Sequence, residues 1–335
     1  MIPQTQSLVT KQAWQVALAN TIKDPEVLLK QLGLADKLNA IDGDIIKQFP
    51  LRVPQSYVNR MRYGDPDDPL LRQVFPLLDE GISVANFVTD PVGDHLAVTS
   101  PGMLQKYTGR ALLLTTGACA IHCRYCFRRH FPYNDSNPLA RQWQQTLLSI
   151  KDDTTINEII LSGGDPLALT DNKLSSLVDD LEQIPHIKRL RIHSRLPIVL
   201  PERVDPQLLT WISKTRLKVI MVVHANHANE IDNTVAKALE DLRTAGCQML
   251  NQAVLLKGIN DSAASLTALS ERLGDVNVMP YYLHLLDRVA GAGHFEVPEQ
   301  KGIALVAQLR NSLSGYLVPR LVREQKGEAS KTVIY

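Results

Sequence analysis

The sequence predicts an α/β fold in which helices cover a parallel sheet, and three observations carry that expectation. After residue 105, short apolar runs alternate with longer amphipathic stretches. The runs are rich in leucine and β-branched residues with little polar alternation, as strands buried on both faces are. Six such strand–helix units in succession point to a partial (β/α)6 barrel, although an open doubly wound sheet has the same texture.

In chain order, the first hundred residues read as helices and turns. In "DPEVLLKQLG", Asp24 suits an N-cap, Pro25 the first helical position and Gly33 the stop. "VPQSYVNRMRYG" repeats that grammar with Pro54 and Gly64, and "DPDDPLLRQVFP" is a proline-punctuated connection. The predicted strands are "ALLLTT" (111–116), "INEIILS" (156–162), "RLRIHS" (189–194), "KVIMVVH" (218–224), "CQMLNQAVLL" (247–256) and "VNVMPYYLH" (276–284). Helical segments such as "DNKLSSLVDDLEQI" and "NTVAKALEDLRTAG" lie between them. The expected organisation is an N-terminal helical region over 1–105, a partial barrel over 106–295 and a short C-terminal segment over 296–335. In such folds function gathers at the C-terminal ends of the strands. There stand a cysteine cluster, "SGGDP", "HSR" and His224.

Bulk properties narrow the class. With 335 residues and a net charge of +1, nothing points to nucleic acid or a polybasic membrane anchor. No apolar run reaches the roughly 18 residues that span a bilayer, and the N-terminus lacks the basic start and apolar stretch of a signal peptide. Four cysteines, three of them clustered, do not resemble a secreted disulfide framework, so a reducing, cytoplasmic setting is expected.

The cluster is "CAIHCRYC", with Cys119, Cys123 and Cys126 spaced C-x3-C-x2-C. Structural zinc would take a fourth ligand, with His122 or His130 at hand. A [4Fe–4S] cluster normally takes four cysteines, and three leave one iron open to an exogenous ligand. On spacing alone both remain open.

This spacing after the first barrel strand, followed one unit later by "SGGDP", resembles the radical S-adenosylmethionine (SAM) superfamily. "CRYCFRRHF", "SGGDPL", "RLRIHSRLPIVLP", "HANHANE", "NQAVLLKGIND", "MPYYLHLLD", "HFEVP", "SGYLVPRLV" and "SKT" together resemble the lysine 2,3-aminomutase family, from about residue 50 to 331. The wording "FRRHFPY" and the short ends are most similar to the bacterial branch serving β-lysylation of elongation factor P. The resemblance implies a radical SAM partial barrel and three cofactors: a [4Fe–4S] cluster, SAM and pyridoxal 5′-phosphate (PLP). It implies conversion of free L-α-lysine to (R)-β-lysine, with an external one-electron donor such as flavodoxin and a functional link to elongation factor P and its lysyl ligase.

Residue by residue, the resemblance assigns Cys119, Cys123 and Cys126 to the cluster and Lys331 to the PLP Schiff base. It assigns Arg110 and Lys106 to the PLP phosphate, and Gly163, Gly164, His224 and Gln252 to SAM. Arg128 matches the grip on the substrate carboxylate, which a guanidinium fork suits, and Asp287 and Glu324 match the two acids that bind the side-chain ammonium. Arg124 and Arg129 are expected to face solvent or pair with acids, Asp165 to cap a turn, and Cys247 to sit in the core. Ser262 stands where some relatives place a zinc-binding cysteine, so no zinc is expected. The alternatives are an aminomutase for another amino acid, such as glutamate, or a non-catalytic zinc-stabilised binding protein.

Overall fold

The computed structural model describes residues 12–36, 43–133 and 143–335. Four short helices lead: α1 (Ala13–Ala19), α2 (Pro25–Gln31), α3 (Gly43–Gln48) and α4 (Gln55–Val58). Helix α2 starts as its sequence dictates, with the Asp24 carboxylate accepting from the Glu26 N–H at 2.8 Å and Pro25 needing no partner. Gly33 then takes a φ of 70°, the left-handed conformation that stops the helix.

A hairpin of β1 (Val98–Ser100) and β2 (Met103–Tyr107) follows, then seven parallel strands: β3 (Arg110–Thr116), β4 (Glu158–Gly163), β5 (Arg189–Ser194), β6 (Lys218–Val223), β7 (Gln248–Val254), β8 (Met279–His284) and β9 (Arg320–Arg323). A short antiparallel strand, β10 (Thr332–Val333), ends the sheet. The crossovers carry α5 (Trp143–Asp152), α6 (Asp171–Glu182), α7 (Leu196–Val199) with α8 (Pro206–Lys214), α9 (Asn233–Thr244), α10 (Ala263–Asp275) and α11 (Glu299–Ser312). Three of them, α8, α9 and α10, start on side-chain caps: Asp205 on Leu208, Asp232 on Val235 and Ser262 on Ser265.

Strand order follows chain order from β1 to β10. Right-handed crossovers then leave the helices on one face, whereas a doubly wound sheet reverses its order partway. The sheet is singly wound, a partial barrel. All six predicted strands are present within a few residues. The sequence does not announce the hairpin at 98–107, which is too short and polar for a periodic signal, or β9, whose four residues are the shortest run that can show a strand pattern and bury only Leu321 and Val322.

One apolar cluster joins the N-terminal segment (Trp14, Leu28, Val53, Tyr57) to the barrel's outer layer (Leu174, Ile198, Leu239, Leu309). At the mouth, the two ends of the sheet approach each other through side chains. Tyr107 on β2 donates to Glu324, just past β9, at 2.5 Å. The strap before β1 adds a backbone bridge from Val88 to Val289, with the Val88 N–H donating to the Arg288 carbonyl at 2.9 Å.

Candidate active site

The cysteine loop leaves the C-terminal end of β3 and lies across the turn after β4. The Gly164 N–H donates to the Thr116 carbonyl at 2.7 Å and the Asp165 N–H to the Ala118 carbonyl at 2.9 Å. The contact is close enough to require glycine. A Cβ at Gly163, whose φ is 122°, would lie 2.6 Å from the Thr116 oxygen, and one at Gly164 would lie 2.5 Å from the Ala118 oxygen. In this structure the two glycines therefore seat the loop that carries Cys119. Tyr133 holds the same turn from the other side, donating to the Gly163 carbonyl at 2.8 Å.

Asp165 ties this turn to the next strand. Its carboxylate accepts from the Leu167 N–H, the Ser194 hydroxyl at 2.7 Å and the Arg195 N–H at 2.7 Å. It caps the turn at 166–168, as its sequence suggests, and burial pushes its pKa up to about 6 against those donors.

Cys119, Cys123 and Cys126 are unpaired, half-buried thiols, and Cys247 is buried at the start of β7. Burial, then the neighbouring Cys126, Asp165 and Cys123 charges, push Cys119 well above the usual thiol range. Burial and Cys123 push Cys126 up to about 11. Arg195 donates to the Cys123 Sγ at 2.7 Å and, through its other nitrogen, to Gln73 at 2.7 Å and Glu230 at 2.9 Å. Among the described residues no three His, Cys, Asp or Glu side chains are arranged to hold one metal ion. Three half-buried thiols on one loop, with a cationic donor beside Cys123, are a donor set that would fit a [4Fe–4S] cluster. Arg124 and Arg129 brace the loop through an acid. Both pair with Glu80, Arg124 as a two-bond fork at 2.7 and 2.6 Å.

Side chains from several elements meet at the mouth. Arg128 sends Nε to the Asp94 carboxylate at 2.7 Å and Nη1 to the Ser162 hydroxyl at 3.0 Å. Lys106 meets the other Asp94 oxygen at 2.6 Å and the Val92 carbonyl at 2.9 Å, and lies 3.8 Å from Glu324. Glu324 is paired with Lys331 at 2.6 Å. Burial alone would raise both acids, but Arg128 and Lys106 hold Asp94 below the usual range, and Lys331 does so for Glu324. Asp287 is half-buried in the loop three residues past β8. Burial dominates there, Lys331 opposes it and Glu324 adds to it, leaving a pKa raised to about 7. Arg110 lies over the Tyr107 ring, 4.5 Å from its centroid.

Deeper in the barrel, Gln252 on β7 and the Nε2 of His224 lie 3.0 Å apart, and the His193 ring meets His224 edge-on at 5.8 Å. Burial, with Arg195 adding, lowers His224 to about 3, so it is a neutral imidazole at physiological pH. His284 is buried next to Tyr282, with its Nε2 unpartnered among the described residues. Sequence reasoning missed Asp94, Tyr107, Arg195 and Glu230 as parts of this site. Arg195 and Glu230 lie inside quoted segments, but which side chains they meet depends on tertiary placement, and Asp94 lies in a loop with no motif.

Comparison with known proteins bears on this arrangement. Residues 107–191 match the family described as a 4Fe-4S single cluster domain. L-lysine 2,3-aminomutase of Escherichia coli (strain K12) is 47% identical over 324 residues, covering 96% of this chain and 94% of that protein. The Haemophilus influenzae protein of the same name is 43% identical over 99% of this chain and 98% of its own length. The Clostridium subterminale one is 33% identical over 96% of this chain and 77% of its own.

Proposed function

The chain belongs to the lysine 2,3-aminomutase family, and from that premise we propose that it converts free L-lysine to (R)-β-lysine for attachment to elongation factor P. It is an isomerase of the radical SAM type, and its reaction moves an amino group within lysine. When bound, the [4Fe–4S] cluster supplies the electron that opens SAM for hydrogen-atom transfer, and PLP carries the migrating nitrogen.

The chain's own residues would do the rest. Cys119, Cys123 and Cys126 hold the cluster, with Arg195 and Asp165 fixing the loops around it. Gly163 and Gly164 keep the cysteine loop close to β4, where SAM would lie, and neutral His224 with Gln252 offers it polar contacts. Lys331 holds PLP, whose phosphate falls to Arg110 and Lys106. Arg128 offers its remaining N–H groups to the α-carboxylate. Asp287 and Glu324 take the side-chain ammonium.

The single observation that carries this reading is the Lys331–Glu324 pair. The acidic corner of the mouth already binds a lysine ammonium at 2.6 Å, that of its own Lys331. Two acids, with Asp287 raised by burial and by Glu324, favour a cation strongly in a half-dry recess. They would repel a glutamate side chain, which argues against the alternative substrate. The order of events follows from the same groups. A lysine already joined through its carboxylate leaves Arg128 without a partner, so free lysine should react first. Feeding reconstituted enzyme free lysine and pre-lysylated elongation factor P in parallel tests this. Faster conversion of the lysylated protein would reverse the order.

A further inference from the structure

An arginine that binds a carboxylate with two parallel bonds can do so along its side, through Nε and Nη2, or at its end, through Nη1 and Nη2. Arg128 has already committed its Nε to Asp94, and one hydrogen of Nη1 to Ser162. Among the described residues, one hydrogen on Nη1 and both on Nη2 have no acceptor. With Nε occupied, two parallel bonds can be offered only from the end, through Nη1 and Nη2. Asp94 is only 2% exposed, and its two oxygens are divided between two cations, Arg128 at 2.7 Å and Lys106 at 2.6 Å.

Its backbone is fixed as well. Gly93 takes a φ of 69° to turn the chain into 94–97, and the Asp94 N–H donates to Asp90 at 3.0 Å. The strap that carries Asp94 is bonded through Val88 to the segment just past Asp287. One buried carboxylate therefore sets the spacing and direction of both cations, from a strap tied to the acidic side of the mouth.

We propose that Asp94 is a positioning residue for substrate selection: by holding Arg128 Nε and Lys106 Nζ it turns the end face of Arg128 toward the α-carboxylate of lysine. This rests on the assignment of Arg128 to that carboxylate. An aspartate that merely neutralised Arg128 would have the opposite effect on binding, because removing its charge would strengthen the attraction for an incoming carboxylate. An asparagine has one acceptor oxygen for two cations, so Asp94→Asn must release one of them.

The test is equilibrium binding of lysine and of lysine amide to PLP-loaded protein without SAM, read from the PLP absorbance band. The variants are Asp94→Asn, Asp94→Glu, Arg128→Ala and the Asp94→Asn/Arg128→Ala double variant. The wild type should prefer lysine by about ten- to a hundredfold. Asp94→Asn should weaken lysine about tenfold or more and shrink the preference to a few-fold, while adding nothing in the Arg128→Ala background. Lysine binding as tight or tighter in Asp94→Asn, with the preference intact, overturns the proposal. If Arg128→Ala keeps the full preference, the carboxylate assignment itself falls, and the proposal with it. Should Asp94→Asn fail to fold, Asp94→Glu carries the test: its carboxylate, displaced by one methylene, should reduce the preference, and an unchanged preference rejects the role.

Discussion

Lys331 and Glu324 form an ion pair, Nζ to Oε2 at 2.6 Å, and the same carboxylate accepts from Tyr107 at 2.5 Å on the opposite end of the sheet. The residue proposed to hold PLP thus sits on the residue proposed to hold the substrate's ammonium. Borohydride should fix PLP to Lys331, and peptide mapping should find the adduct there and nowhere else. Glu324→Gln should still be labelled at Lys331 but should raise the KM for lysine. Loss of one charge-assisted bond is worth about 1.5–3 kcal/mol, roughly ten- to over a hundredfold. An adduct on another lysine would remove Lys331 from its role.

Asp287 gives the site a pH dependence with a definite sign. Its pKa in the free protein is raised to about 7, by burial first and by Glu324 in addition. A bound ammonium favours the ionised carboxylate, so below pH 7 binding must expel a proton. Lysine affinity should therefore fall as pH drops from 8 to 6, approaching tenfold per unit at the acid end, and level off above 7. The lysine ammonium, with a reference pKa of about 10.4, stays charged throughout. Titrating binding across this range in wild type and in Asp287→Asn checks it: the variant should bind more weakly and lose this slope.

The cysteine loop depends on a close backbone approach. In Gly164→Ala the new methyl would meet the Ala118 carbonyl oxygen at 2.5 Å, so the loop before Cys119 must shift. The variant should fold with about 1–3 kcal/mol less stability and retain less iron and sulfide after reconstitution. Replacing Cys119, Cys123 or Cys126 with alanine should abolish reductive SAM cleavage, whereas Cys247→Ala should leave it intact. Because the Cys119 and Cys126 thiols are raised, iron uptake must displace protons and should quicken with pH. Iron and sulfide assays with SAM-cleavage kinetics cover all of these outcomes.

Glu230 is fully buried and accepts from Arg195, Gln73 and two backbone N–H groups. Arg195→Met removes its cation and leaves the carboxylate uncompensated, which costs about 3–5 kcal/mol. A urea melt of the cluster-free protein should show that loss. Arg195→Lys should lose less stability, yet it should still impair cluster retention, because a point charge cannot reach Cys123, Gln73 and Glu230 together as the fork does. Equal cluster content in Arg195→Lys and wild type would reduce Arg195 to a structural residue.

Much of this was legible in the sequence, and the rest was not for identifiable reasons. The six central strands are continuous apolar runs between capped helices, so local composition reports them. Strand β9 and the hairpin of β1 and β2 exist because a neighbouring strand supplies their hydrogen bonds, and no local pattern encodes that. The roles proposed for the cysteines and Lys331 come from spacing and resemblance. Those of Asp94 and Arg195 do not, because what distinguishes these two is the set of side chains the fold brings to them. Gly163 and Gly164 are read from the resemblance as SAM-binding residues; their close approach to the Thr116–Ala118 backbone depends on the fold and has no local signal.

The most direct measurement of the central claim is the chiral analysis of products after anaerobic reconstitution with iron, sulfide, PLP, SAM and a one-electron reductant. L-lysine and L-glutamate should be supplied separately at equal concentration. The account predicts (R)-β-lysine from lysine and no β-amino acid from glutamate. β-Glutamate in preference to β-lysine, or β-lysine of the opposite hand, would contradict it.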